Sequence, residues 1–204
     1  MFQNEYLLSA HMKTGLGLIR KYRLLYAYLN LLKFWLKKKM LGFDVANQFI
    51  QRVDKTSLQL ILKINGAKIG KNCDIETGLI FHNCLNYNNL TIGNNCHIGK
   101  NCFFDLRDRI IIKNNVVISM QCTFITHLDM NKSPLRNYYP CHSQQLIIGD
   151  NTYLGVSVKI IRGIIIGSSV IIAAGSVVNK SISNNILAGG VPAKPLRKIV
   201  ITNE

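Results

Sequence analysis

Residues 148–183 read IGDNTYLGVSVKIIRGIIIGSSVIIAAGSVVNKSIS, and the stretch counts in sixes. Ile148, Leu154, Ile160, Ile166, Ile172 and Val178 are all aliphatic, and Gly149, Gly155 and Gly167 directly follow three of them. Four places after each aliphatic stand Thr152, Val158, Ile164, Val170, Ser176 and Ile182. A period of six is neither the 3.6 of an α-helix nor the 2 of an ordinary strand. It fits a short strand and a turn, repeated. Three such units close a triangular coil of 18 residues, and successive coils stack at strand spacing, about 4.7–4.9 Å. Each aliphatic then points inward onto its counterpart in the next coil. Gly beside it is expected where the chain turns tightly.

The same count runs upstream as Ile69, Ile75 and Phe81, then Ile92, Ile98 and Phe104, then Ile112, Ile118 and Phe124. Breaks of register fall at 82–91 and 105–111. Ile112 and Ile148 stand two coil lengths apart, so the register survives a segment, 126–146, that does not keep the pattern. One coil cannot bury its own interior, so several must stack, and about five fit between 67 and 191. Cys73, Cys96, Cys102 and Cys122 occupy the fifth place of their hexapeptides, which points inward and takes a small side chain; reduced, they serve as small apolar residues. Cys84 and Cys141 fall off the pattern. The chain has no Cys-x-x-Cys pair and its start lacks the apolar core of a secretory signal, so neither a zinc knuckle nor a disulfide framework is expected.

The 204 residues suffice for one substantial domain and a short extra segment, and 48% of them are apolar, too many for a disordered chain. Three parts are expected: a helical segment over 1–65, the solenoid with its interrupting loop over 66–191, and a C-terminal tail over 192–204. The formal net charge of +15 points to an anionic partner. Nucleic acid is disfavoured, because no helix-turn-helix, zinc-finger or aromatic RNA-platform pattern occurs. A phosphate-rich cofactor and an acidic membrane surface both remain. Segment 1–65 holds 11 basic and 3 acidic residues. Within it, 16–41 reads as a basic helix and 44–64 as a second short helix leading into the first coil. The longest apolar stretch, 24–36, contains Asn30 and Lys33 and is too short and interrupted to span a bilayer, which takes about 20 apolar residues. The basic helix either caps the solenoid or lies on anionic lipid with Trp35 and Phe34 at the headgroup boundary.

Four stretches carry a family resemblance: Phe104-Asp-Leu-Arg with Ile110-Ile-Ile-Lys-Asn-Asn-Val; Phe124-Ile-Thr-His-Leu-Asp; Ile148-Gly-Asp-Asn-Thr-Tyr-Leu-Gly; and Ile172-Ala-Ala-Gly-Ser-Val-Val-Asn-Lys with Gly189-Gly-Val-Pro-Ala-Lys. Over roughly residues 67–199 the chain resembles the hexapeptide-repeat O-acetyltransferases that act on sugars, among them the maltose, galactoside and surface-polysaccharide enzymes. Isolated hexapeptides say little about function, since this solenoid hosts several activities. The Thr-His in an interrupting loop and the Gly-Val-Pro-Ala-Lys end are more specific. The resemblance implies an all-β solenoid, a left-handed parallel β-helix with an N-terminal helical segment and an extruded catalytic loop. It also implies a homotrimer with active sites between subunits and acetyl-CoA as co-substrate. No metal is expected, and the expected location is cytoplasmic, with the inner face of the membrane an option that rests on the basic helix.

It further implies roles. His127 matches the family's catalytic His and is expected to take the acceptor's proton and return one to the CoA sulfur. Asp129 either orients His127 as the carboxylate of a triad or only shapes a turn. The backbone N–H of Val156 is the expected oxyanion donor. Tyr153, which stands where the family commonly has Trp, would line the CoA groove with Gly155, Ala174 and Gly175, and Lys180, Lys194 and Arg197 would meet its phosphates. Asp105 and Arg107 stand where the family contacts sugar, and His82, in the 82–91 break, would line the acceptor cleft. A three-His zinc site is disfavoured, because His82, His97, His127 and His142 have the wrong spacing. The expected reaction is O-acetylation of a sugar or glycan precursor. N-acetylation of a nucleotide-linked amino sugar is the nearest alternative, and a non-catalytic scaffold the third.

Overall fold

The repeat dictates a wall of very short parallel strands, and the computed structural model has them; it describes residues 2–200, with side chains described for 19 and 21–200. The first coil is β1 (Lys68–Ile69), β2 (Asp74–Ile75) and β3 (Ile80–His82); the second is β4 (Leu90–Ile92), β5 (His97–Ile98) and β6 (Phe103–Asp105). The third is β7 (Ile110–Ile112), β8 (Val117–Ile118) and β9 (Thr123–Phe124). A hairpin of β10 (His127–Leu128) and β11 (His142–Ser143) leaves the stack. The fourth coil is β12 (Leu146–Ile148), β13 (Tyr153–Leu154) and β14 (Lys159–Ile160), and the fifth is β15 (Ile165–Ile166), β16 (Ile171–Ile172) and β17 (Val177–Val178). A partial sixth begins with a bridge from Ile182 to Ile166 and ends in β18 (Ile186–Gly190) and β19 (Ala193–Lys198). The solenoid thus has three parallel faces: β1-β4-β7-β12-β15, β2-β5-β8-β13-β16-β18, and β3-β6-β9-β14-β17.

Pairing explains the register breaks. Ile148 pairs with Ile166 and Leu154 with Ile172, each one 18-residue coil on. Ile69 pairs with Ile92 and Ile92 with Ile112, so the two earlier breaks are corner insertions that leave the stacking intact. Ile112 pairs directly with Ile148, because the whole of 126–145 is extruded and takes the place of one coil. Its neck is closed by Gln144 N donating to the Thr126 carbonyl at 2.8 Å.

The inward positions fill the core. First-place and fifth-place residues are buried from Ile75 to Val178, and Phe81, Phe104 and Phe124 stack nearly parallel with centroids 5.5 and 4.9 Å apart. Cys96, Cys102 and Cys122 are buried as the repeat predicts, while Cys73, on the end coil, is only half-buried. Each of these thiols donates to a carbonyl of the next coil, for example Cys96 to Lys113 O at 3.0 Å, as Thr152 Oγ1 does to Gly167 O at 3.0 Å.

The reason for the second-place glycines differs from the expected turn. A Cβ on Gly149 would stand 2.5 Å from the Gly167 backbone, and one on Gly155 2.6 Å from Ala174 N. Glycine is there because the next coil passes too close for a side chain. The tight turn lies two residues later, at the fourth place, where Asn72, Asn95, Asn115 and Asn151 have φ of 54°, 55°, 56° and 57°. Asn tolerates this left-handed region better than other residues with a Cβ. The four amides also form a ladder along one corner, each Nδ2 donating to the next Oδ1 at 2.9–3.2 Å.

Three helices close the N-terminal end: α1 (Phe2–Leu41), α2 (Phe43–Phe49) and α3 (Lys55–Ile64). The helix expected over 44–64 is broken in two, because Val53 is extended and Asp54 caps α3 by accepting from Thr56 N and Ser57 N at 3.0 and 3.2 Å. Leu58, Ile61 and Leu62 of α3 cover the open first coil. The 82–91 insertion brings Tyr87 against Phe43 and Phe81, with its hydroxyl on Asn47 Oδ1 at 3.1 Å, and so fixes α2 beside the third face. The expected C-terminal tail is instead bonded to the solenoid as far as Lys198, as β19 pairing antiparallel with β18.

Candidate functional site

Where the third coil ends, Thr126 and His127 pass over the corner that joins the third face to the first. Asp105 ends β6 one coil earlier on this corner, and its side chain is 1% exposed. A buried carboxylate must be hydrogen-bonded, and this one is thoroughly so. Its Oδ2 accepts from His127 Nδ1 at 2.5 Å and from Thr126 N at 2.8 Å, with Thr126 Oγ1 also at 2.8 Å; its Oδ1 accepts from Asn83 Nδ2 at 3.0 Å. Burial pushes the Asp105 carboxyl up, but the bonds from His127, Asn83 and Thr126 outweigh it and hold the group down at about 2. Asp105 is therefore ionised and acceptor-only, so the proton between the pair sits on Nδ1. Nε2 of His127 has no hydrogen-bond partner among the described residues.

Asp129, open to an orienting role or to shaping a turn, makes no hydrogen bond to His127 among the described residues. Asn131 N and Arg107 both bond it and lower its pKa, with Arg107 Nη1 at 3.1 Å from Oδ2. The place beside the imidazole belongs to Asp105, a residue whose family position points instead to sugar contact. The physical reason is burial: Asp105 lies under the ring with its backbone fixed in β6, whereas Asp129 sits in the exposed turn of the hairpin. Arg107 also stands 3.5 Å from Cys141 Sγ, so it ties the extruded hairpin back to the corner.

A polar cavity of about 640 Å³ is lined among others by Asp44, Gln48 and Gln51 near α2 and by His82, Asn83 and Arg107 from the corner; neither Asp105 nor His127 lines it, and Asn83 links it to the Asp105 carboxylate. His82 lies in register with Asp105, and Asn83 and Arg107 touch both the cavity and the dyad's surroundings. Nothing in the sequence marked Asp44, Gln48 or Gln51, because only tertiary packing brings α2 here, through Tyr87, the Asn47 bond to Phe81 O and Phe34 of α1. Cys84 lines the cavity too, but burial raises its thiol to about 11, which is unsuited to nucleophilic work at neutral pH.

The remaining expected site residues lie on a different corner. Gly155, Val156, Ala174 and Gly175 all fall between the second and third faces, as the strand order requires. Val156 N has no protein acceptor among the described residues, and its carbonyl accepts from Gly175 N at 2.8 Å. Tyr153, on the second face, takes a hydrogen bond from Ser119 Oγ at 3.0 Å. A largely apolar groove of about 390 Å³ runs along this corner past Glu76, His97, Gly99, Lys100, Ser119 and Met120. Lys194 and Arg197 are exposed on β19 at its far end. Lys180 is exposed on the His127 corner, two coils further along. One chain therefore holds the imidazole and the free Val156 amide on two different corners, separated by the width of the third face. His82, His97 and His142 are likewise scattered, with His142 bonded to Arg162 at 2.9 Å, and among the described residues no three His, Cys, Asp or Glu side chains gather as a metal site.

The sequence profile described as the hexapeptide repeat of succinyl-transferase matches residues 89–120 and 145–180. The galactoside O-acetyltransferase of Escherichia coli (strain K12) is 29% identical over 167 residues, covering 80% of this chain and 78% of the relative. The crystal structure of a maltose O-acetyltransferase from Clostridium difficile 630 is 28% identical, covers 84% of this chain and 89% of its own, and superposes with a TM-score of 0.66. A galactoside acetyltransferase in complex with coenzyme A is 26% identical, with 83% and 82% covered and a TM-score of 0.66.

Proposed function

We propose that the chain is a member of the hexapeptide-repeat acetyltransferases of the galactoside and maltose type, and that it transfers the acetyl group of acetyl-CoA to a hydroxyl of a sugar or glycan precursor. The observation that carries the reading is the buried Asp105 carboxylate on His127 Nδ1, which leaves Nε2 as the candidate base, while Asn83, bonded to the same carboxylate, lines a polar cavity. His127 Nε2 accepts the hydroxyl proton as the acceptor oxygen attacks. Asp105 stabilises the imidazolium that results, and His127 then passes the proton to the departing sulfur. The Val156 N–H meets the negative charge that develops on the carbonyl oxygen. Acetyl-CoA, when bound, supplies the acyl group as a thioester. The groove past Gly99 and Ser119 suits its pantetheine arm, and Lys180, Lys194 and Arg197 suit its phosphates. The cavity under α2, with its carboxylate, amide and guanidinium groups, suits a polyhydroxyl acceptor.

Because base and oxyanion donor lie on different corners, the reading requires a neighbouring copy to bring its second-to-third-face corner against the His127 corner. A closed ring of three copies does this with one repeated contact. Six unpaired cysteines and a CoA-borne donor suit a reducing cytoplasm. The test is thiol release from acetyl-CoA across a panel of sugars and amino sugars. A hydroxyl acceptor should support turnover, and His127→Ala should lower kcat about 10²–10⁴-fold while leaving acetyl-CoA affinity nearly unchanged. Turnover only with amino sugars would move the reading to N-acetylation, and full activity of His127→Ala would remove the proposed base.

A further inference from the structure

The helix α1 has two apolar faces, and only one of them is used. Ala27, Asn30 and Phe34 are buried against α2 and α3, where Phe34 meets Phe43 edge-on with centroids 6.2 Å apart and Asn30 Nδ2 donates to Ser57 Oγ at 3.0 Å. On the opposite side Tyr22, Leu25, Leu29, Leu32 and Leu36 recur at alternating spacings of three and four, which aligns them in one stripe. All five are exposed, Leu25 at 58% and Leu32 at 52%. Tyr26, Tyr28, Trp35 and Met40 border the stripe and are also more than half exposed. From residue 19 to 41 this runs for about 34 Å of helix. Soluble monomers rarely leave so large a continuous apolar patch uncovered.

Charge decides what covers it. Lys21, Lys33 and Lys39 flank the stripe and are exposed, while Lys38 is turned inward to Asn65 Oδ1 at 3.3 Å. The helix has no carboxylate between residues 19 and 41. A second copy of α1 laid along the stripe would set lysine rows against lysine rows; an anionic surface would neutralise them. Tyrosine and tryptophan beside leucine, with lysine at the rim, is the distribution that suits a headgroup boundary. Among the described residues no helix is long and apolar enough to cross a membrane, so the contact is parallel to the surface.

We infer that the outward face of α1 lies on an anionic phospholipid bilayer, with the Leu25–Leu36 stripe in the acyl boundary and Lys21, Lys33 and Lys39 among the headgroups. This rests on α1 alone and stands apart from the catalytic reading. The full chain is floated with phosphatidylcholine vesicles with and without phosphatidylglycerol. It should float only with the anionic vesicles, less so as salt rises. Leu29→Glu combined with Leu36→Glu should lower partitioning about tenfold or more, and each of Lys21→Ala, Lys33→Ala and Lys39→Ala roughly fivefold. The double variant should keep its thiol release with a soluble acceptor. In the unaltered protein Trp35, the only tryptophan of the chain, should shift its emission to the blue on anionic vesicles alone. Failure of the unaltered protein to float, or flotation of the double variant at the unaltered level, would overturn the inference. So would a fall in lipid-free mass in the double variant without any vesicle binding, which would make the face a contact between copies.

Discussion

At the scale of single residues, the proposed chemistry rests on which carboxylate lies under His127. Asp105 and Asp129 are both near it in sequence or register, and only burial separates them: one is enclosed at the end of β6, the other is exposed and held by Arg107. Asp105→Asn should lower kcat about 10²–10⁴-fold, since an amide no longer fixes the Nδ1–H tautomer or balances the imidazolium. Asp129→Ala removes an exposed ion pair and should change kcat by about fivefold or less. The same two variants differ in acid. The folded-state pKa of Asp105 is depressed to about 2, so its contribution to stability is complete above the ordinary aspartate range and disappears as pH falls through about 2. Thermal melts between pH 5 and about 2 should therefore show a steeper loss in the unaltered protein than in Asp105→Asn; parallel curves would contradict the buried ionised carboxylate. His127 was legible in the sequence because a Thr-His stood where the repeat failed. The role of Asp105 was not, because alternation along β6 cannot reveal that one residue in the next coil will stack a ring above it.

At the scale of the element, the hexapeptide was read correctly for its inward places and incompletely for its turn. First-place aliphatics and fifth-place small residues announce themselves by period. The left-handed fourth place is announced too, by Asn72, Asn95, Asn115 and Asn151, yet these can pass for ordinary surface residues until the φ angles group them. The second-place glycine is fixed by a neighbour 18 residues away, which no local reading reaches. Gly149→Ala should accordingly destabilise the fold by roughly 1–3 kcal/mol, because the clash is with backbone that cannot yield cheaply. The corresponding melt should fall by several degrees; an unchanged Tm would show that the coils separate easily. The corner insertions were visible as slips of register, but what they carry was not. The 82–91 insertion delivers Tyr87, which seats α2 and so builds the cavity wall from residues with no motif of their own.

At the scale of the whole molecule, a triangular solenoid sorts residues by corner, and that sorting shapes the proposed site. Every residue expected to work on the acceptor lies on the third-to-first corner, and every small residue expected to border the thioester lies on the second-to-third corner. Sequence spacing predicted the coils but gave no hint of this division, since successive hexapeptides belong to different faces. The division makes the proposed site a composite of two copies. The direct test is complementation between two inactive chains, His127→Ala and Ala174→Trp, the second blocking the groove corner. In co-assembled rings with random composition, about one site in four would pair an intact imidazole with an intact groove. The mixture should therefore recover about a quarter of the unaltered activity, whereas no recovery after verified co-assembly would contradict a shared site.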